Sequence, residues 1–191
     1  MSTAAAQDAA PDRGWNALAD VLDRLTPSAD TSEPPSGAEV HGAIAQMLAR
    51  DRAEAALEAI DKRQAEIALR QEPGQDVQLL FLKARALAQL GRINEAQAVY
   101  RDMTVRYPEL AEPWNNSAIL YIGAGDYDQA LMALEMAVMT NPGYASAVSN
   151  LADLRLLMAL RDYERAASLG DRAAAARATA LQQFIKEVSQ P

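Results

Sequence analysis

The chain has 191 residues, a formal net charge of −8, no cysteine and one histidine, a length that suits one domain plus a tail. The acidic balance argues against nucleic-acid binding, which needs a basic surface to displace counterions, and the lack of cysteine excludes disulfides and thiolate metal sites. No apolar run reaches the roughly 20 residues that span a bilayer, so no transmembrane segment is expected.

Residues 1–37 are predicted to be a flexible acidic tail, because their Ala, Ser, Thr, Asp and Pro content buries too little apolar surface to fold. From Trp15 to Leu25, large apolar residues recur at helical spacing, which predicts a short amphipathic helix at about residues 14–25. Two interpretations stay open. The helix either docks as a cap on this protein's own domain, or it is a docking peptide for a partner or for this protein's own groove.

The first residues lack the basic start and the apolar centre of a signal peptide. Two compartments are therefore compatible with the sequence. One is the cytoplasm, and the other is the bacterial periplasm or cell envelope, if an export signal has been removed.

Residues 38–190 are predicted to form the folded domain, and the centre of this domain repeats with a period of 34 residues. Segments 77–110 and 111–144 align without a gap. The matched residues include Gly91 with Gly125, Ala96 with Ala130, and Pro108 with Pro142. A fixed period of this length is typical of helical hairpins that stack into a solenoid.

Irregular units flank the two clean repeats. Residues 38–74 carry helical apolar stripes, but Asp51 stands where a repeat-turn glycine is expected. Residues 145–170 begin in step with the repeats, and the motif at 162–166 then recurs two positions later than the period predicts. The first helix of this unit is therefore expected to be longer, or its turn to differ. The alanine-rich segment 171–188 is predicted to be a helix that caps the stack.

Two sets of side chains carry packing expectations. Small residues are expected where paired helices approach closely, because larger side chains would push the helices apart. These residues are Ala84, Ala96, Ala118, Ala130 and Ala152. Met132, Met136 and Met139 lie at helical spacing and are predicted to fill the core, with an adaptable binding surface as the alternative.

The repeat residues resemble those of the tetratricopeptide-repeat (TPR) family over about residues 38–170. The residues of repeat 111–144 that carry the resemblance are Trp114, Ala118, Tyr121, Gly125, Tyr127, Ala130, Ala137 and Pro142. The chain departs from the family at Lys83 and Ser117, where a leucine is usual. The resemblance implies an all-α, right-handed solenoid of helix-turn-helix repeats. The stretch from Tyr107 to Asn116 also looks like small stand-alone bacterial TPR proteins, several of which are exported to the cell envelope.

In the family, one side of each repeat's first helix lines a groove that binds a protein or peptide partner. By resemblance the groove residues here are Gln78, Phe81, Arg85, Asn115, Asn116, Ile119, Ser149, Asn150, Asp153 and Leu156. The amides of Asn115, Asn116 and Asn150 can hold a peptide backbone, or else Asn116 and Asn150 tie adjacent helices together. Phe81 and Ile119 are expected to supply apolar pockets.

The groove has one cation, Arg85, and lacks the lysines of the family's carboxylate clamp. The sequence therefore predicts that the protein does not capture acidic chaperone tails, the peptides that end in EEVD.

No catalytic, metal-binding or cofactor-binding constellation is recognisable. His41 is a lone histidine, whereas metal sites need several convergent donors, and the glycines lie at repeat turns rather than in a phosphate-binding loop. The expected function is a non-enzymatic adaptor or assembly factor that binds a partner peptide or helix in the groove. The alternative is a small cytosolic chaperone for an exported or secreted protein.

Overall fold

The computed structural model describes residues 35–71 and 74–188, and the chain divides into two units, residues 1–36 and 37–191. The helix predicted at about residues 14–25 lies outside the described residues. The described part of the second unit contains eight α-helices and no strand, which confirms the predicted all-α class. The helices are α1 (Gly37–Ala49), α2 (Ala53–Arg70), α3 (Val77–Gln89), α4 (Ile93–Arg106), α5 (Ala111–Gly123), α6 (Tyr127–Thr140), α7 (Ala145–Ser168) and α8 (Arg172–Val188).

The helices form a linear stack in which each one packs against the next along the chain. In addition, α1 contacts α3, and α5 contacts α7. The buried side chains therefore form several clusters along the stack instead of one central core. One cluster joins α1, α2 and α3 through Ile44, Ile60 and Leu82. Another joins α5, α6 and α7, and includes Leu134 and Leu154.

Small residues lie at the close approaches between helices. Ala84, Ala96, Ala118 and Ala130 are all fully buried, in agreement with the expectation from the repeat pattern. Ala152 differs, because it is exposed on α7. A regular second helix would begin 34 residues after Tyr127, whereas α8 begins only at Arg172, so α8 does not cover α7 in the register that the alanine pattern assumes.

The turns between paired helices use the left-handed backbone conformation. Gly91 has φ 71° and Gly125 has φ 75°, values that glycine adopts without the steric cost of a Cβ atom. Asp51 takes the same conformation, with φ 58°, in the turn between α1 and α2. Aspartate is one of the few other residues that tolerates this region, which explains how the first hairpin turns without a glycine.

Residues 145–170 contain one long helix where a regular repeat would have two. They form the single helix α7 up to Ser168, and the motif at 162–166 lies inside it. No glycine interrupts the helix before Gly170, whose φ of 100° ends it. The helix that pairs with α7 is therefore α8, and Asp171 caps α8 by accepting hydrogen bonds from the backbone N–H groups of Ala173 and Ala174.

Candidate functional site

The first helices of successive repeats bring matched residues into rows. Arg85 on α3, Ile119 on α5 and Asp153 on α7 stand 34 residues apart, as do Asn116 and Asn150. Arg85, Ile119 and Asp153 are all exposed. The row therefore presents a cation, an aliphatic side chain and an anion in that order to solvent.

Two cavities lie between α3 and α5. The Phe81 cavity, of about 270 Å³, is lined by Val77, Gln78, Phe81, Met103, Leu110, Glu112 and Pro113. The Arg85 cavity, of about 300 Å³, is lined by Leu48, Arg85, Ala88, Gln89, Tyr100, Asn116, Ile119 and Leu120. Each combines apolar walls with a few polar groups, as small binding sites commonly do.

An aromatic pair links the linings of the two cavities. The ring centroids of Phe81 and Tyr100 are 6.1 Å apart with an interplanar angle of 60°, within the range of favourable tilted aromatic contacts. Phe81 lines one cavity and Tyr100 lines the other. A change in either ring would therefore alter both cavities.

A chain of hydrogen bonds crosses the site from α7 to α4. The Asn150 Nδ2 donates to the Asn115 Oδ1 at 2.8 Å, and the Asn115 Nδ2 donates to the Asn116 Oδ1 at 3.2 Å. The Asn116 Nδ2 then donates to the Tyr100 hydroxyl at 3.2 Å. The amides thus tie three helices together, which is the helix-tying role left open for Asn116 and Asn150.

Asn115 requires a correction to the predicted groove. Its side chain is only 3% exposed, and its two amide atoms already bond Asn150 and Asn116. It is therefore not presented to a partner. The reason is that Asn115 faces α7 from its place on α5, and the Asn150 amide on α7 donates a hydrogen bond to it.

Burial and nearby charge set the behaviour of two tyrosines near the site. Burial raises the pKa of Tyr100 to about 12, against smaller opposing effects of the Asn116 hydrogen bond and the Arg85 charge. The pKa of Tyr144 is also raised, first by burial and then by the nearby Glu112 carboxylate, while Arg85 opposes the shift. Both phenols therefore stay protonated at neutral pH and can donate hydrogen bonds.

The structure distributes the other predicted groove residues unevenly. Gln78 and Phe81 line the Phe81 cavity, while Arg85, Asn116 and Ile119 line the Arg85 cavity. Three further predicted residues lie on α7 outside both linings: Ser149 and Asp153 are exposed, and Leu156 is half-buried.

Sequence reasoning missed Tyr100, Glu112 and Leu48 as lining residues. Tyr100 lies on the second helix of its repeat, whereas the groove was predicted from first helices, and Leu48 comes from α1, outside the matched repeats. Glu112 could have been found, because it occupies the same repeat position as Gln78.

The methionines of α6 also differ from expectation. Met132 is 61% exposed and Met139 is 68% exposed, so the prediction that they fill the core is wrong for both. Met136 is half-buried. The α6 surface that they share belongs to a second helix, away from the two cavities.

Within residues 35–71 and 74–188, no group of three or more His, Asp or Glu side chains is placed to hold a metal ion. None of the helices in the same ranges is both long enough and apolar enough to cross a membrane.

The fold and its two inter-helix cavities define the protein as an α-helical repeat protein built from stacked antiparallel helix pairs. The tetratricopeptide-repeat family model matches residues 77–103, which cover α3 and most of α4. The chain therefore carries a tetratricopeptide (TPR) repeat, and its helical-repeat fold is that of a protein–protein interaction module.

This chain is similar to one protein by sequence and to solved structures by fold. The TPR repeat-containing protein YvcD of Bacillus subtilis (strain 168) is 30% identical over 104 residues, which is 54% of this chain. This chain spans only 21% of the length of that relative.

Among solved structures, a thermophilic TPR protein of Thermus thermophilus, TTC0263, aligns with 78% of this chain and 100% of its own, at 22% identity and a TM-score of 0.49. A structure of Naa15/Naa10 bound to HypK-THB aligns with 81% of this chain and 25% of the other, at 20% identity and a TM-score of 0.53. The similarity to this second structure concerns the fold alone.

Proposed function

We propose that this protein is a non-enzymatic adaptor that binds a segment of a partner protein along the surface formed by α3, α5 and α7. The observation that carries the proposal is the pair of neighbouring cavities between α3 and α5. Both are open to solvent-exposed helix surface and both combine apolar and polar walls. A peptide that lies across the two helices can place one side chain in each cavity.

The chemistry of the surface supports a peptide rather than a small metabolite. Each lining contains a single charged residue, Glu112 in one and Arg85 in the other, and most of the remaining lining residues are apolar. Ile119 is 48% exposed at the edge of the Arg85 cavity, so an apolar side chain of the partner would gain burial there. The α7 residues Ser149 and Asp153 extend the same surface with polar groups.

Site-specific photo-crosslinking tests this proposal. A photoreactive phenylalanine analogue at Ile119 should crosslink a discrete partner in cells that express the full chain. The same analogue at Val105, an exposed apolar position on α4, is the matched control. In a capture experiment with protein that carries no photoreactive residue, the substitution Ile119→Asp should abolish recovery of that partner. Equal crosslinking from both positions, or none from Ile119, would contradict binding along α3, α5 and α7.

A further inference from the structure

We propose that the Arg85 cavity binds a single carboxylate that stands next to an aliphatic side chain of the partner, with the carboxylate accepting from the Tyr100 hydroxyl and pairing with Arg85. This inference deepens the proposed function and depends on it, since it states which chemical group of the partner enters the cavity.

The direction of the hydrogen-bond chain supplies the first argument. Every amide in it uses its NH₂ group to donate toward α4, so the Tyr100 hydroxyl oxygen receives the last hydrogen bond, from Asn116. The hydroxyl proton is then left to donate onward. Within residues 35–71 and 74–188, the hydrogen bond that this hydroxyl makes is the one it accepts from Asn116.

The burial of Tyr100 makes this free proton significant. The residue is only 2% exposed, yet it lines the Arg85 cavity. A buried donor without a partner destabilises the fold, and a ligand acceptor in the cavity would remove that cost. The cavity therefore favours a group that accepts a hydrogen bond.

Arg85 determines that this acceptor is anionic. Its guanidinium lies at the same cavity, and no carboxylate in the described part of the chain is within ion-pair distance of it. Arg85 and Tyr100 line the same cavity, and the charge of Arg85 opposes the rise in the pKa of Tyr100. A carboxylate fits this arrangement, because it can accept from a hydroxyl and from a guanidinium together.

The rest of the lining selects the neighbour of the carboxylate. Leu48, Ala88, Ile119 and Leu120 form the apolar wall of the Arg85 cavity. Gln89 is already engaged, since its Nε2 donates to the Leu48 carbonyl at 3.3 Å and to the Asp51 carboxylate at 2.6 Å. The open part of the wall is therefore aliphatic, which suits a leucine or valine beside the acid.

The surrounding charge limits the ligand to one carboxylate. Asp153 follows Arg85 and Ile119 in the exposed row, and Glu112 lines the adjacent Phe81 cavity. The whole chain carries a formal net charge of −8. A run of acidic residues would meet these like charges, so this site differs from one that captures EEVD-type tails.

Four N-acetylated octapeptides of one Gly-Ser-rich sequence provide the probes. One ends in Ala-Leu-Glu with an amidated C-terminus, and its control has glutamine in place of glutamate. A third ends in Ala-Leu with a free C-terminal carboxylate, and a fourth ends in EEVD. Comparison of the first and third peptides shows whether the site prefers a side-chain carboxylate or a C-terminal one.

Calorimetric titration of the full chain, up to about 1 mM peptide, should show at least one single-carboxylate peptide binding about tenfold more tightly than the glutamine peptide. The EEVD peptide should bind more weakly than that preferred peptide. Arg85→Gln should erase the tenfold preference. Arg101→Gln removes the same charge from an exposed site on α4 and should leave the preference intact.

Tyr100→Phe gives an independent check, because it keeps the ring that packs on Phe81 and removes only the hydroxyl. It should reduce the preference for carboxylate several-fold, with circular dichroism confirming the helical fold. The inference is overturned if neither single-carboxylate peptide binds more tightly than the glutamine peptide, if no peptide binds, or if Arg85→Gln and Arg101→Gln behave alike. Crosslinking from Ile119 would then still decide the proposed function on its own.

Discussion

Asn150 donates a hydrogen bond of 2.8 Å to Asn115 across the gap between α7 and α5. This bond joins helices that are separated in sequence by the whole of α6, and it starts the chain of amides that ends at Tyr100. The amide chain therefore connects α7 to the Arg85 cavity. Its residues stabilise the stack by joining the helices, and through Asn116 they orient the Tyr100 hydroxyl.

Replacing Asn115 should accordingly destabilise the fold. Asn115→Ala leaves the Asn150 Nδ2 and the Asn116 Oδ1 without their partner in a site that is 3% exposed. We expect a loss of roughly 1–3 kcal/mol in the free energy of unfolding, measured by urea titration. Ser149→Ala, at an exposed neighbouring position of α7, should change it by less than about 0.5 kcal/mol. A similar effect of both substitutions would mean that the amide chain contributes nothing.

The sequence predicts the all-α stack because the glycines and alanines that mark the repeat are required by backbone conformation and close packing alone. A left-handed turn at Gly91 and a close contact at Ala118 demand the same residue type wherever they occur, so they recur with the period. The length of α7 could not be predicted in this way. The motif at 162–166 is as compatible with the middle of a helix as with its start.

The site was harder to predict because it depends on contacts between different helices. Ser117 departs from the family's usual leucine, and the reason appears only in three dimensions, since its hydroxyl accepts from Gln97 of α4 at 2.6 Å. Tyr100 belongs to the site for a similar reason. Nothing in its own helix indicates that Asn116 donates to it.

Close packing at Ala118 gives the second prediction. The residue is fully buried among α5, α6 and α7, so Ala118→Leu would force these helices apart. The expected loss is roughly 1–3 kcal/mol in the free energy of unfolding. Ala98→Leu, on an exposed position of α4, is the control and should stay within about 0.5 kcal/mol of the wild type. Equal stability of the two variants would show that α5 and α6 tolerate a wider separation.

Replacing either of two glycines by alanine should change the free energy of unfolding, but in opposite directions. A Cβ at either Gly91 or Gly123 would meet no atom within 4 Å, so neither change creates a clash. Gly91 has φ 71°, and Gly91→Ala should lower the free energy of unfolding by about 1 kcal/mol through backbone strain. Gly123 ends helix α5 without positive φ, and Gly123→Ala should raise stability by about 0.5 kcal/mol. Urea titration of the pair tests this, and two changes of the same sign would contradict it.

Tyr100 should make stability depend on alkaline pH. Its pKa is about 12 in the folded protein because burial disfavours the phenolate, whereas an unfolded tyrosine ionises near its ordinary value of 10. The unfolded chain therefore loses this proton first as the pH rises. The contribution of Tyr100 is complete below about pH 10 and is lost progressively from there up to about pH 12.

The difference in unfolding free energy between the wild type and Tyr100→Phe isolates this contribution, because all other titrating groups are common to both proteins. Between pH 9 and pH 11 the wild type should lose about 1 kcal/mol more than the variant, measured by urea titration at each pH. A difference that stays constant with pH would mean that the Tyr100 hydroxyl titrates equally in the folded and unfolded chains. In that case the phenol is solvated in the Arg85 cavity rather than held there as a protonated donor.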